Sequence, residues 1–349
     1  MKISKSKIGI LTDLHFGKHK EEKWEKIYDD LLEWIIESYQ ERDIDHIFIL
    51  GDIFDGHFSK TKEKGISFKI LNYVKTWFDK LTEHFEVTLF SGNHDVTYKD
   101  RSDVSACSIF RKNENINLIE DTTSFSFEDM NYKIVPWSCP IQKTASDHKV
   151  DGLFCHFDIQ SFKMNANKIS EHGYSTKELF KHTDRVWSGH YHWYQEREYA
   201  KGNNKITYLG TPLQLNWAEA GKESYIHVFD LSKNEVVEMI ENKFSPKHVK
   251  IKASELEDIG NDFVEIIWDV EKTEELEKEV QGKIDGSGVQ TVRFNHEALA
   301  KKKSLEYNKI VDSMDAEVLL EEVVDNIEGI TDIKKKVLDK AKSYYTMAT

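Results

Sequence analysis

Aspartate, histidine and asparagine recur along this 349-residue chain in five short groups whose chemistry is that of metal ligation. They are Asp13-Leu14-His15, Gly51-Asp52-Ile53-Phe54-Asp55, Gly92-Asn93-His94-Asp95, His156 and Gly189-His190-Tyr191-His192. Each alone has an ordinary explanation: a surface pair, two turn-forming acids, a solvated hairpin. As an ordered series they offer imidazole, carboxylate and amide donors in about the number that two cations need, roughly eight counting shared ligands. That mixture suits manganese, iron or zinc better than calcium. A carboxylate has two oxygens, so Asp52 is suited to bridging, and glycines beside the ligands let the backbone turn tightly beneath the ions.

Side chains so far apart need a scaffold to bring them together. Short apolar or β-branched runs end at each group: Lys7–Thr12 before Asp13, His46–Leu50 before Gly51, Glu86–Phe90 before Ser91, Gly152–Cys155 before His156 and Arg185–Trp187 before Gly189. Between them, 22–42 (Trp24, Ile27, Leu31, Trp34 or Ile35, Ser38) and 67–85 (Phe68, Leu71, Val74, Phe78, Leu81) repeat at the spacing of amphipathic helices. Alternating strands and helices predict a layered α/β domain, with ligands gathered at the carboxyl ends of its strands. Residues 206–230 read as its last strands, and the pattern changes around Pro246. Beyond that point, 263–270 reads as a strand, 271–283 as a charged helix, Asp285-Gly286-Ser287-Gly288 as a turn and 289–294 as a returning strand. After Lys301-Lys302-Lys303 a helix is expected near 317–327 with Gly329 as its C-cap. A second follows, capped by Thr331 or Asp332 and ending near Tyr345.

The five groups resemble the signature of the calcineurin-like metallophosphoesterases. The phrases Gly51–Asp55, Ser188–His192 and Tyr208-Leu209-Gly210-Thr211-Pro212 are most similar to SbcD-type nuclease subunits and the T-even phage recombination endonuclease subunit. The resemblance implies a four-layer α/β/β/α sandwich over 1–244, a small α/β DNA-capping domain over 245–296 and a C-terminal helical ATPase-binding segment over 297–349. It implies two divalent ions, manganese or magnesium. One is held by Asp13, His15, Asp52 and His192, the other by Asp52, Asn93, His156 and His190. In such sites water attacks phosphorus in line while the paired cations stabilise the attacking and leaving oxygens. His94 is then the acid at the leaving oxygen, and Asp55 orients its ring and favours its protonated form. The implied partners are DNA, an SbcC-type ABC ATPase with a coiled coil, and a second copy in a homodimer. Cys155 stands where the resemblance leads one to expect glycine; it is small enough to fit, and it is assigned no ligand role.

Composition narrows the remaining choices. With 39% hydrophobic residues the chain can bury a sizeable core. No apolar run approaches the ~20 residues of a membrane span and no leader pattern opens the chain. The expected place is the cytoplasm, that of a host if the protein is phage-encoded. Cys107, Cys139 and Cys155 are odd in number and widely spaced, which argues against a disulfide framework and a zinc knuckle. A formal charge of −14 weighs against nucleic acid as partner. Most of that acid excess falls in 251–349, however, and bound cations would supply positive charge where phosphate approaches.

His19, His57, His148 and His172 read as solvated loop histidines. Phe16, Phe58, Phe157, Trp193 and Tyr194 adjoin the five groups and read as core first, base-stacking rings second. Lys18, Lys20, Lys60, Lys62 and Lys64 read equally as surface or as phosphate contacts. Leu319, Leu320, Val323, Val324 and Ile327, then Ile330, Ile333, Val337 and Leu338, give the tail two apolar faces. Docking within the chain is the plain reading of those faces, docking onto an ATPase the one the resemblance implies. Rival readings are a stand-alone metallophosphatase or cyclic-nucleotide phosphodiesterase, which the appended domain and apolar tail oppose, and a non-catalytic scaffold, which the full ligand set and His94 oppose.

Overall fold

The computed structural model describes residues 3–19, 21–59, 62–98, 101–142, 148–166, 168–199, 204–244, 246–256, 260, 262–296 and 334–340. Lys20, Lys60 and the apolar tail positions up to Ile333 lie outside the described residues. The chain divides into two compact units, 1–249 and 250–349.

Parallel strands covered on both faces have no polar side, and His46–Leu50 is accordingly buried at every position. It lies within a six-stranded sheet of spatial order Glu235–Glu241, Tyr225–Asp230, Lys7–Leu11, His46–Leu50, Glu86–Phe90 and Ile116–Ile119. The last four run parallel, and Tyr225–Asp230 joins them antiparallel to Lys7–Leu11. A second six-stranded sheet has the order Gln195–Tyr199, Asn204–Tyr208, Arg185–Gly189, Gly152–His156, Met130–Val135 and Thr123–Phe127. Its four central strands are parallel.

The two sheets pack face to face. Ile10, Phe48, Leu50 and Phe90 of the first meet Ile134, Phe154 and Trp187 of the second in one buried cluster. Phe154 lies edge-on to Phe48 (5.4 Å, 79°) and to Phe229 (5.2 Å, 73°), a geometry worth about 0.5–1.5 kcal/mol per pair beyond burial.

Ile8 and Ile10 point into this core, so Gly9 between them faces outward, and the Tyr39 ring occupies the space a side chain at Gly9 would take. Tyr39 belongs to α1 (Glu22–Gln40), whose buried stripe Trp24, Ile27, Leu31 and Ile35 keeps the helical period. Its hydroxyl lies 3.0 Å from Ile10 O. Ser67 caps α2 (Phe68–Thr82) by accepting from Ile70 N, and Trp77 Nε1 donates to Tyr28 O at 2.9 Å, tying α2 to α1.

Outside the second sheet, α3 (Thr176–Leu179) is a single turn held by a Ser175–Glu178 capping box. Loops around it pack Ile159, Phe162 and Leu179 against Cys155, Val186 and Ile206. The fold is therefore the expected α/β/β/α sandwich, with its fourth layer reduced to one helical turn and packed loops. Several elements exceed the sequence pattern, Ile116–Ile119, Gln195–Tyr199 and His248–Lys252 among them. Glu235–Glu241 extends the first sheet past residue 230, and a hairpin joins Thr123–Phe127 to Met130–Val135 through Glu128, whose φ is 50°.

In the second unit, Phe263–Ile267 and Thr291–Asn295 run parallel and are joined by α4 (Glu274–Asp285). Val264, Ile266 and Trp268 bury against Val280 of that helix. His248–Lys252 is the third strand of this sheet, and residues 334–340 are helical. Among the described residues no helix is long and apolar enough to cross a membrane.

One buried histidine gives the first unit an acid sensitivity. His227 is 1% exposed, its Nε2 lies 2.8 Å from Leu209 O, and its Nδ1 has no partner among the described residues. Burial lowers its pKa from 6.5 to about 4. The unfolded chain therefore takes the proton first. This group leaves stability unaffected above pH 6.5 and reduces it as pH falls toward about 4, with a slope approaching ~1.4 kcal/mol per pH unit. His227→Gln is expected to flatten the fall of the unfolding midpoint across that window in thermal melts, and a profile parallel to wild type would refute the assignment.

Candidate metal centre

The parallel strands of both sheets end at one edge of the sandwich, and the loops leaving those ends carry the five groups. The loops are bonded to one another. Asp13 N donates to Gly51 O (3.1 Å), His15 N to Asp52 O (2.9 Å), Phe16 N to Ile53 O (2.8 Å) and Asp55 N to Phe16 O (2.9 Å). The strand ladder thus continues into the loops. Asp95 fastens the third loop to the second: its Oδ2 accepts from Gly92 N (2.8 Å) and Ile53 N (3.2 Å), its Oδ1 from Phe54 N (2.7 Å).

Asp13, His15, Asp52 and His190 have φ of 55°, 49°, 50° and 96°, in the left-handed region that few residues with a Cβ occupy. Strain of this kind persists where the surroundings over-determine it, commonly at functional sites. At Gly92 any side chain would collide with the Asp52 carboxylate and backbone N, so glycine is what lets the Asn93 loop come this close.

These loops bring the donors into three overlapping groups, Asp13, His15 and His192 in one, Asp52, His156 and His190 in another, and His15, Asp52 and His94 joining the two; within each group the ligand atoms lie inside 4.8 Å. Ligand atoms ~2.1 Å from a common cation and at right angles stand about 3.0 Å apart. His15 Nε2 and His192 Nε2 are 3.0 Å apart. Asn93 Oδ1 is 3.1 Å from His156 Nε2 and 2.7 Å from His190 Nδ1. Asp52 Oδ2 lies between the groups, 3.5 Å from His15 Nε2 and 3.3 Å from His156 Nε2. The donor set fits two cations sharing one carboxylate.

The far nitrogens of three imidazoles are anchored: His15 Nδ1 at 3.2 Å from Asp55 Oδ1, His156 Nδ1 at 2.8 Å from Leu50 O, and His192 Nδ1 at 2.6 Å from Glu219 Oε1. Partners of this sort fix which nitrogen faces an ion.

The ionised carboxylates support the same arrangement, and His156 must lose a proton to join it. Burial alone would keep Asp13 and Asp52 protonated, but the surrounding imidazoles outweigh it, lowering Asp13 to about 2 and holding Asp52 well below the ordinary carboxylate range. Burial pulls His156 down and the Asp52 carboxylate more than reverses this, raising it to about 9. His190, buried beside His156, is pushed to about 4. Burial and repulsion from Asp52 raise Asp95 to about 7 against its three amide donors.

All seven expected ligands lie at this edge together with His94 and Asp55. His94 N donates to Asp52 Oδ1 at 2.7 Å, and its ring meets the His15 ring edge-on at 4.7 Å. Asp55 Oδ1 lies 3.4 Å from His94 Nδ1 but 3.2 Å from His15 Nδ1, so the carboxylate expected to orient His94 is shared with a ligand histidine. The Cys155 thiol packs among Val135 and Val186 and is directed at Trp187 O, away from the donors.

One expectation needs correction. His19 is not a solvated histidine: its ring stacks on Trp24 (3.8 Å, 4°) and its Nε2 lies 2.7 Å from Leu215 O. His148 and His172 are exposed, and Phe16, Phe157 and Trp193 are buried. The side chains of His57, Phe58, Lys62 and Lys64 lie outside the described residues. Lys18 is half-buried; burial lowers its pKa while Glu219, Asp52 and Asp13 pull it upward.

Two residues escaped the sequence reading. Asp95 stood in a recognised motif without a role. Glu219 had only an Asn216-x-x-Glu219 capping-box pattern, which signals a turn rather than a contact with His192. Glu219 is 3% exposed and accepts from Leu215 N and Asn216 Nδ2 as well as facing His192.

The family profile of the calcineurin-like phosphoesterases matches residues 6–231, which spans both sheets except the Glu235–Glu241 edge strand. The chain belongs to the calcineurin-like phosphoesterase family and is a metal-dependent phosphoesterase. No curated protein gives a significant match to it. Bound at such a site, divalent cations neutralise phosphate charge and acidify water.

Glu219→Gln is expected to weaken one of two manganese sites by roughly 10–100-fold, the range for losing a partner of a ligating histidine. Calorimetric titration should then show one site shifted and the other retained. Two unshifted sites would show that Glu219 does not position His192.

Proposed function

We propose that this phosphoesterase is a DNA nuclease subunit of the SbcD type. It hydrolyses phosphodiesters with two divalent ions, manganese foremost and magnesium as substitute, in DNA recombination, repair or replication. It works as a homodimer with an SbcC-type ABC ATPase. The observation that carries this reading is the place of Asp52 between two donor groups, with His94 and Asp55 alongside, since paired cations suit in-line displacement at a phosphodiester. Asp13, His15, Asp52 and His192 would hold one ion; Asp52, Asn93, His156 and His190 would hold the other.

His94 is held by its backbone N–H on Asp52 and donates a proton from its imidazole to the leaving oxygen, while Asp55 Oδ1, 3.4 Å from Nδ1, steadies the ring. The nuclease assignment is supported by the phrases Gly51–Asp55, Ser188–His192 and Tyr208–Pro212. The last of these backs the site, as Thr211 N donates to His192 O (3.1 Å) and Thr211 Oγ1 to Asp13 O (3.1 Å). The compact second unit agrees with an appended substrate-handling domain. Residues 245–296 are read as the DNA-capping domain and 297–349 as the segment that binds the ATPase.

His94→Ala is expected to lower manganese-dependent cleavage of single- and double-stranded DNA by roughly 10²-fold or more while calorimetry shows undiminished metal binding. Turnover near wild type would remove the acid role. Hydrolysis of phosphomonoesters with no cleavage of DNA by wild type would instead favour a stand-alone phosphatase. Deleting the chain beyond residue 300 is expected to abolish copurification with the ATPase and to spare hydrolysis of small phosphodiesters. A truncated chain that still copurifies contradicts the tail assignment.

A further inference from the structure

Beside the second donor group lies a cavity of about 320 Å³ whose lining includes Trp137, Ser138, Phe157, Asp158 and Tyr174. It is one aromatic ring away from the candidate ligands. The Trp137 indole is tilted against the His190 ring (centroids 5.5 Å apart, 33°) and edge-on to His156 (6.2 Å, 79°). Phe157 follows His156 directly, and its ring lies 4.6 Å from that of Tyr174. The backbone holds these walls in place: Trp137 N donates to Ser91 O and Tyr174 N to Asp158 O, each at 2.9 Å.

Two features point to the occupant. The Trp137 Nε1–H is buried and has no acceptor among the described residues, so its hydrogen bond goes to water or to a bound group. Among the described residues the only charged one in the lining is Asp158, whose Oδ1 already accepts from Ser170 Oγ at 2.6 Å and from the Tyr191 hydroxyl. A carboxylate repels phosphate, while three aromatic side chains favour a flat uncharged ring.

We infer that this cavity is a base subsite, holding the nucleobase of the nucleotide whose phosphate lies at the cation pair. The base stacks on Trp137 and Tyr174. The inference rests on the phosphodiesterase reading above and adds to it a grip on the nucleoside. Because every base has a π-face, such a grip holds a strand without reading its sequence.

The test compares wild type with Trp137→Ala, Trp137→Phe and Tyr174→Ala on two diesters with the same leaving group, thymidine 5′-(p-nitrophenyl phosphate) and methyl p-nitrophenyl phosphate. The ratio of their kcat/KM values is expected to fall roughly 5–100-fold in both alanine variants, the span that base–aromatic stacking supplies, and to recover in Trp137→Phe. Damage to the metal site lowers both substrates alike and cancels in the ratio. An unchanged ratio in both alanine variants overturns the subsite. Saturation-transfer NMR with thymidine, which carries no phosphate, reads the cavity without the cations: binding by wild type that Trp137→Ala abolishes supports the inference, and no binding by wild type overturns it. If wild type hydrolyses neither diester, the phosphodiesterase reading fails and the thymidine result alone decides the cavity.

Discussion

The metal edge of the sandwich depends on keeping one buried carboxylate ionised between two groups of donors. Asp52 is 1% exposed, and an unpaired charge so placed would cost several kcal/mol. Its Oδ1 takes the His94 amide, and its Oδ2 faces His15 and His156 from opposite groups. Those imidazoles hold it charged and it holds His156 charged in return. The ionised carboxylates gain from positive charge at the middle of the cluster, which the His156 proton supplies here and a bound cation would supply in its place.

The two faces of the sandwich serve this edge differently. Over the first sheet two full helices seal the outer surface, with Tyr39 seated against Gly9 and Trp77 bonded to Tyr28. Over the second sheet the covering layer is α3 and loops, which bury Phe162 and Leu179 yet leave a hollow beside Trp137 and Tyr174. The thin layer leaves this hollow open next to His156 and His190, and the proposed base subsite lies in it.

Much of the scaffold was legible because burial writes itself into strand and helix periodicity. His46–Leu50 and the Trp24–Ile35 stripe are examples, each running into a polar group or separating two of them. The gathering of the seven candidate donors at one edge was legible because their residue types at strand ends have few other reasons to recur. The partners that orient them were not. Glu219 reaches His192 across 27 residues, and nothing in its local pattern distinguishes it from any capping glutamate. Asp55 looked dedicated to His94, but its distance to His15 is set by how two loops zip together, a tertiary fact. His19 read as solvated because no local pattern shows that Trp24 and Leu215 will close around it. Glu235–Glu241 was missed because an edge strand exposed on one side, with charges at Glu235, Glu238 and Glu241, lacks a continuous apolar run.

Asp95 gives the arrangement a further property. Its carboxyl group spans the Gly92 amide on one loop and the Ile53 and Phe54 amides on another, so the loop bearing Asn93 and His94 is coupled mechanically to the loop bearing Asp52 and Asp55. Displacing either displaces both. The separation between the Asp52 carboxylate and the His94 ring is thus governed by a clamp set apart from both, and the stiffness of this edge is borrowed from Asp95.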